Sequence, residues 1–464
     1  MNKQPRLLDI DEALKLNRKQ VRELYKNHVN PSWAKLQSLL DMDINYVKAE
    51  GTRVWDEHGN EYLDFVGGFG SLNIGHNHPS VLGALEKVEK SPVMLQTALG
   101  KFSSVLAHNL SQLAPGELNN CWFCSSGTEA VEGALKLARI YTGRSSFIYC
   151  YGGFHGKTMG ALSVTGRKKY QEPFQPLIPG CVPVPFGDAE ALEKALQETD
   201  AAAFIVEPVQ GEGGIITPPE GYFKKVRELC TRYKTLLIFD EIQTGLGRTG
   251  TFFACEHEGI VPDIIVMAKS LSGGVIPIGG YITTASIMKG AYGGSLDKGL
   301  MLTSTFGGNT LSAAAAVASV NTIVEENLTA QAQEKGEYFL QRLQELKERF
   351  DIIKEVRGRG LLIGMEFEQS GGFLDSLTAG AVKKLSSDFL SSLIAAELLK
   401  KYHIMVVFTL NNPNVIRLEP PLTVSYEDID RVVNAFNELF AAHGNFVKFA
   451  FQSGKNAISS FFRG

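Results

Sequence analysis

A lysine and an aspartate, each ending an apolar run, set the chemistry open to this chain. Lys269 closes Ile264-Ile265-Val266-Met267-Ala268-Lys269 and precedes Ser270-Leu271-Ser272-Gly273-Gly274; Asp240, 29 residues earlier, closes Leu236-Leu237-Ile238-Phe239-Asp240 and precedes Glu241. Short apolar runs bounded by turn residues suit buried parallel strands, whose carboxyl ends line the edge where open α/β sheets bind ligands. An amine and a carboxylate then face one crevice. There the amine can form a Schiff base with a carbonyl, while the carboxylate holds a protonated ring nitrogen and keeps that ring an electron sink. This is the pairing that pyridoxal phosphate requires.

Further motifs fall at the same edge. Ser125-Ser126-Gly127-Thr128-Glu129 follows a strand and opens a helical run through Arg139. Its hydroxyls and N–H groups thus sit at a helix N-terminus, which favours an anion such as phosphate. Plain capping is the alternative for the isolated motif; beside Asp240 and Lys269 a phosphate cradle fits better. Tyr151-Gly152-Gly153-Phe154-His155-Gly156 places an aromatic among glycines after a strand. A flat ring could stack on Phe154, which would otherwise be core filler, and the glycines allow close backbone approach. His155 either tunes the site or satisfies a loop carbonyl. Ala203-Phe204-Ile205-Val206-Glu207-Pro208-Val209-Gln210-Gly211-Glu212 ends a further strand with two acids. A buried carboxylate there needs a partner. Arg417 is the candidate partner of Glu212, the alternative being two solvated surface charges.

Two patterns resemble sites without their context. Gly245-Leu246-Gly247-Arg248-Thr249-Gly250 matches the dinucleotide fingerprint, but Thr251-Phe252-Phe253 follows where a long amphipathic helix should begin. His76 and His78 in Gly75-His76-Asn77-His78-Pro79 have no nearby acid or cysteine in sequence to complete a metal site, so structural or surface polar roles are expected. Cys121-Trp122-Phe123-Cys124 formally matches a redox or zinc pair, yet residues three apart on a strand point to opposite faces.

The elements that must position these residues follow from pattern. Residues 8–30 have helical spacing, ended by Pro31, and residues 51–65 read as a hairpin turning at 57–60. From about 80 to 320, strands at 121–125, 147–151, 202–206, 236–240, 264–268 and 279–283 alternate with helices. Such alternation argues for a mainly parallel sheet covered on both faces. Beyond Asn321 two helices flank a strand-rich segment at 352–367, and a last helix over 426–442 follows Val415-Ile416-Arg417-Leu418. A chain of 464 residues, 44% apolar, supports two or three lobes. Its net charge of −4 gives no reason to expect nucleic-acid binding, and no apolar run approaches the ~20 residues that span a bilayer. Six scattered cysteines and an N-terminus lacking a secretory apolar region suggest cytoplasmic residence.

Ser126-Gly127-Thr128, Phe154-His155-Gly156, Glu207, Asp240-Glu241-Ile242-Gln243-Thr244-Gly245, Lys269 and Thr305-Phe306-Gly307-Gly308-Asn309 stand in the order found in class III pyridoxal-phosphate aminotransferases, which the chain resembles from about residue 45 to 443. The resemblance implies an α/β architecture of fold type I: a large, mostly parallel seven-stranded sheet domain plus a smaller α+β domain, assembled as a homodimer. The expected divisions are a helical arm (1–45), the first part of the small domain (46–80), the large cofactor domain (81–325), the rest of the small domain (326–443) and a tail (444–464). It further implies that Lys269 carries pyridoxal phosphate, Asp240 holds the pyridinium, Gln243 contacts the ring hydroxyl and Phe154 stacks on the ring. His155 and Glu207 would join the cofactor site. Ser126, Gly127 and Thr128 would bind phosphate, with Thr305 reaching in from the other subunit.

Within the class the likeness is nearest to putrescine aminotransferases, through the helical arm, Ala254-Cys255-Glu256-His257-Glu258 and the run from Phe408 to Thr423. The expected reaction moves an amino group from putrescine or a similar diamine to a 2-oxo acid such as 2-oxoglutarate. Lys269 would be leaving group and base, and Arg417 would grip the acid once Glu212 moves aside. Ornithine, acetylornithine or another ω-amino acid is the alternative donor. An aminomutase or decarboxylase of this fold is the alternative reaction, and a non-catalytic scaffold the alternative outside catalysis. The tail from Phe446 to Arg463 lies outside the resemblance and either packs on the dimer or forms an amphipathic membrane or partner helix.

Overall fold

The computed structural model describes residues 6–39, 41–94, 98–368 and 381–443, so the tail lies outside the described residues. The helical spacing over 8–30 is divided into two helices, Ile10–Ala13 and Arg18–His28. Each begins with a reciprocal cap, Asp9 with Glu12 and Asn17 with Gln20, which satisfies N–H groups that a helix start leaves open. Pro31 opens a third helix, Pro31–Leu39, in which its missing N–H and fixed φ suit the first position.

Three strands follow: β1 (Tyr46–Glu50), β2 (Arg53–Asp56) and β3 (Glu61–Asp64). The Asp56 carboxylate fixes the expected β2–β3 turn by accepting from the N–H groups of His58 and Asn60, both at 2.9 Å. The large sheet comprises β4 (Leu118–Cys124), β5 (Ser146–Cys150), β6 (Cys181–Val184), β7 (Ala201–Val206), β8 (Leu236–Asp240), β9 (Ile264–Met267) and β10 (Gly279–Thr284). Its order is β4-β10-β9-β8-β7-β5-β6, and only β10 runs against its neighbours. The sequence gives no clear sign of β6, because Pro183 breaks its short apolar run. As an edge strand paired only with β5, it tolerates a residue without an N–H.

Both faces of this sheet are packed, which explains its unbroken apolar strands. Leu237 and Phe239 of β8 join one core with Phe204, Ile265 and Met267; Leu236 and Ile238 join another with Ile205, Val266 and the helix Gly127–Thr142. The remaining strands are β11 (Ile353–Arg359), β12 (Leu362–Phe367), β13 (Ile404–Met405), β14 (Val407–Phe408) and β15 (Val415–Leu418). Four of them form an antiparallel sheet, β11-β12-β15-β14, while β13 pairs with β3 in the sheet begun near the N-terminus. Among the described residues no helix is long and apolar enough to cross a membrane.

Candidate active site

Adjacent parallel strands bring the two central residues to one edge. Asp240 ends β8 opposite Val266 of β9, and Lys269 stands just beyond the end of β9, at the start of a short turn over Lys269–Ser272. Lys269 takes a φ of 46°, in the left-handed region where a side chain is costly. The turn is held by the Ser319 hydroxyl, which donates to the Ser270 carbonyl at 3.0 Å. Among the described residues no hydrogen bond or ion pair engages the Lys269 Nζ. Burial holds this amine below its ordinary value; Arg417 adds to the effect, and the carboxylates of Glu419, Glu212 and Asp240 oppose it.

Asp240 is buried and fully engaged on the protein side. Its Oδ2 lies 2.7 Å from His155 Nδ1, and its Oδ1 accepts from the Ile242 N–H at 3.1 Å. Burial by itself would depress His155, but Asp240, with help from Glu207, raises it above the ordinary histidine value. The described contact of His155 Nδ1 is thus the Asp240 carboxylate and not a loop carbonyl. Its Nε2 is buried and has no partner among the described residues. Glu207 accepts from the N–H groups of Phe154 at 3.0 Å and Gly211 at 3.1 Å. Burial pushes its carboxyl up to about 7, with Asp240 also raising it and His155 opposing.

The phosphate motif begins the helix Gly127–Thr142 with Ser126 as its cap, so capping is present. Helix geometry still leaves the N–H groups of Gly127 and Thr128 without intrahelical acceptors. The Thr128 hydroxyl meets that of Thr158 at 2.7 Å. Phe154 is half-buried, with the Lys157 ammonium 6.0 Å from its ring centroid. Thr305 sits on an exposed loop that lines a cleft with Ser125, Glu129 and Trp122.

Glu212 and Arg417 are paired and buried, which removes the reading of two solvated charges. Arg417 Nη1 donates to Glu212 Oε1 at 2.8 Å, and Glu212 Oε2 accepts from the Leu410 N–H at 2.7 Å. Burial would raise the Glu212 carboxyl, but Arg417, the Leu410 N–H and Lys269 hold it below the ordinary range. Sequence reasoning missed Glu419. This fully buried carboxylate lies 3.1 Å from Arg417 Nε and accepts from Gln243 Nε2 at 2.9 and 3.0 Å. The available signal was its position two residues after Arg417, on the same side of an extended segment. The Gln243 Nε2, expected near a ring hydroxyl, is therefore directed to Glu419.

The decoy motifs have local roles. His76 Nε2 lies 2.8 Å from Asp64 Oδ2, and His78 Nδ1 accepts from the Ser80 N–H at 3.3 Å at a helix start. Arg248 of the glycine-rich run is buried, donating to the carbonyls of Leu361 and Pro420 and to Asn73 Oδ1. All six cysteines are free thiols.

These residues fit pyridoxal phosphate: an amine of lowered basicity with no hydrogen-bond partner among the described residues, a buried carboxylate oriented by an imidazole, and helix N–H groups without intrahelical acceptors share one edge of the sheet. The profile described as Aminotransferase class-III matches residues 37–440. An ornithine aminotransferase from Toxoplasma gondii ME49 is 32% identical, covering 94% of this chain and 99% of its own, with a TM-score of 0.82. A pyridoxal-phosphate-bound amine transaminase from an uncultivated Pseudomonas species is 31% identical over 86% of this chain and 95% of its own, with a TM-score of 0.75. Acetylornithine aminotransferase from Elizabethkingia anophelis is 29% identical over 92% of this chain and 100% of its own, with a TM-score of 0.75. The matched span contains every residue of the Lys269–Asp240 crevice, and on both grounds this chain belongs to the class III aminotransferases and works with pyridoxal phosphate.

Proposed function

We propose that the enzyme moves the amino group of a terminal primary amine to a 2-oxo acid such as 2-oxoglutarate. Ornithine or a related ω-amino acid is the first-choice donor, in keeping with the ornithine and acetylornithine enzymes among its relatives. Diamines such as putrescine come second. The observation that carries this reading is the 2.8 Å Glu212–Arg417 ion pair inside the site. While Glu212 occupies Arg417, the site accommodates a donor with no carboxylate on its reacting carbon. When Glu212 withdraws, the planar guanidinium can bind the carboxylate of an oxo acid through two parallel hydrogen bonds.

Bound pyridoxal phosphate supplies the electron sink for charge developing at the donor carbon. Lys269 would hold the cofactor and is the amine placed to move the proton of the donor carbon; its lowered basicity favours the proton-accepting form. Asp240 would hold the ring-nitrogen proton, with His155 fixing the carboxylate. Phe154 would stack on the ring, its backbone N–H anchored by Glu207. Gln243 positions the Glu419 carboxylate beside the site. The Ser126 cap and the N–H groups of Gly127 and Thr128 would hold the phosphate, with Thr305 of a second copy completing the cradle. Leu296, Leu300, Met301 and Phe306, all exposed near Thr305, support a homodimer through this loop. A cytoplasmic setting agrees with the free thiols.

Initial rates with ornithine, acetylornithine, putrescine and cadaverine, each against 2-oxoglutarate and pyruvate, test the proposal. Turnover of at least one terminal amine with equal consumption of oxo acid is expected. Activity confined to α-amino acid donors would overturn it, and product formation without oxo-acid consumption would point to a mutase or decarboxylase.

A further inference from the structure

Arg417 faces two carboxylates, and they are held very differently. Glu212 lies in the loop after β7, and among the described residues its carboxylate is hydrogen-bonded by Arg417 and the Leu410 N–H alone. Glu419 is fully buried, its own N–H donates to the Phe65 carbonyl at 2.9 Å, and its carboxylate accepts twice from Gln243. Its surroundings are closed as well. Gly67 through Gly70 form a left-handed turn against it, with φ of 54°, 58°, 58° and 78°. A Cβ at Gly67 would overlap the Glu419 carbonyl, and one at Gly70 would stand 3.0 Å from Glu419 Oε1. Gln243 is confined in turn, because a Cβ at Gly211 would overlap its Oε1.

The guanidinium itself is only partly satisfied. Nη1 bonds Glu212, and Nε lies 3.1 Å from Glu419 without hydrogen-bond alignment. Nη2 is buried and has no hydrogen-bond partner among the described residues. Two carboxylates share the one charge of this guanidinium, with Lys269 the further cation in their field. An incoming carboxylate adds a third negative charge until Glu212 leaves, while Glu419 is held in place by Gln243 and the Gly67–Gly70 turn.

We propose that Glu419 is a specificity-determining residue: a fixed counter-ion that directs the Nη edge of Arg417 toward substrate while weakening its grip on any carboxylate at the reacting carbon. The substrate class it disfavours as donor is the α-amino acid. The class it favours is the unsubstituted –CH2–NH2 terminus. The same field acts on 2-oxo acids, so their capture is deliberately weak and depends on Glu212 withdrawing. Gln243 positions Glu419 and so connects the carboxylate subsite to the loop beyond Asp240.

This inference rests on Arg417 being the carboxylate grip, and the test separates the two. Glutarate, a dicarboxylate that cannot react, is titrated into wild-type, Glu419→Gln and Arg417→Gln holoenzymes by calorimetry. Glu419→Gln should tighten glutarate about ten-fold, and Arg417→Gln should lose it. In parallel, the ratio of kcat/KM for 2-oxoglutarate to kcat/KM for the amine donor should rise about ten-fold in Glu419→Gln; a merely structural contact would lower both and leave the ratio unchanged. If Arg417→Gln binds glutarate as the wild type does, the reading of Arg417 fails. If Arg417→Gln loses glutarate while Glu419→Gln does not tighten it, the role of Glu419 alone is overturned. Should Glu419→Gln fail to fold, Glu419→Asp decides: its shorter carboxylate draws back from Arg417 and should tighten glutarate about three-fold, and unchanged affinity overturns the proposal.

Discussion

Lys269 combines three conditions: an amine without a hydrogen-bond partner among the described residues, a left-handed backbone, and basicity lowered by burial. Lys269→Ala should reduce kcat ~10⁴-fold, the upper end of what a positioned acid–base group contributes. Borohydride reduction followed by peptide mass spectrometry should then mark residue 269 in the wild type only; normal turnover by the variant would refute its role. Glu207 makes a different prediction. Its folded value of about 7 exceeds the ordinary 4.5, so the protonated form is favoured in the fold. Its contribution to stability is therefore full below about 4.5 and is lost as pH rises through about 7, a difference of roughly 3 kcal/mol. Melting temperatures between pH 5 and 8 should fall less steeply in Glu207→Gln than in the wild type. Parallel slopes would mean that the carboxyl titrates elsewhere.

The loops at strand ends carry the charged groups that converge on the site. The loop after β7 brings Glu207 and Glu212 into the site and passes so close to Gln243 that residue 211 has no room for a side chain. Gly211→Ala should cost about 1–3 kcal/mol by overpacking, read as a lower denaturation midpoint, and should change the KM for 2-oxoglutarate because Gln243 anchors Glu419. A variant with wild-type stability and KM would show that the loop yields freely. The left-handed turn Gly67–Gly70 is the matching wall on the other side, where Phe69 holds a φ of 58° with its ring centroid 5.0 Å from the Arg417 guanidinium carbon. The short strands show the same dependence on context. β13 is only two residues long, yet it joins the β1–β3 hairpin sheet through Ile404 opposite Leu63, a pairing between segments more than three hundred positions apart.

At the scale of the molecule, the exposed residues Leu296, Leu300, Met301 and Phe306 flank the loop that carries Thr305. The proposed homodimer would bury them between two copies and bring Thr305 of each toward the other's phosphate site, and sedimentation equilibrium should then show a dimer. Thr305→Ala should weaken retention of the cofactor about ten-fold during dialysis, consistent with loss of a hydrogen bond to a charged group. A monomeric enzyme that retains cofactor fully would overturn this arrangement. His257 adds a pH response of its own. Burial, reinforced by Arg359, holds it down to about 4, so its contribution to stability is present above about 6.5 and is lost as pH falls toward 4. His257→Gln should flatten that limb of the melting curve.

By itself the sequence determined what depends on local pattern. Apolar runs ended by Asp240 and Lys269 were legible as neighbouring buried strands because a sheet covered on both faces leaves no polar alternation within them. The helix cap at Ser126 and the hairpin at 57–60 were legible because turn and capping chemistry lies within a few residues. The split of the arm helix at residues 14–17 and the edge strand β6 were less clear, since capping boxes and edge position override simple periodicity. The tertiary structure alone decided which charges meet. His155 could bond Asp240 or a carbonyl, Glu212 and Arg417 could pair or stay solvated, and Glu419 carried no sign beyond its spacing from Arg417. Such choices depend on burial, which makes an unpaired charge costly and draws residues some two hundred positions apart into one cluster. The lysine and its aspartate were legible as the chemistry of the cofactor, and only packing brought Glu212, Arg417 and Glu419 into one buried cluster.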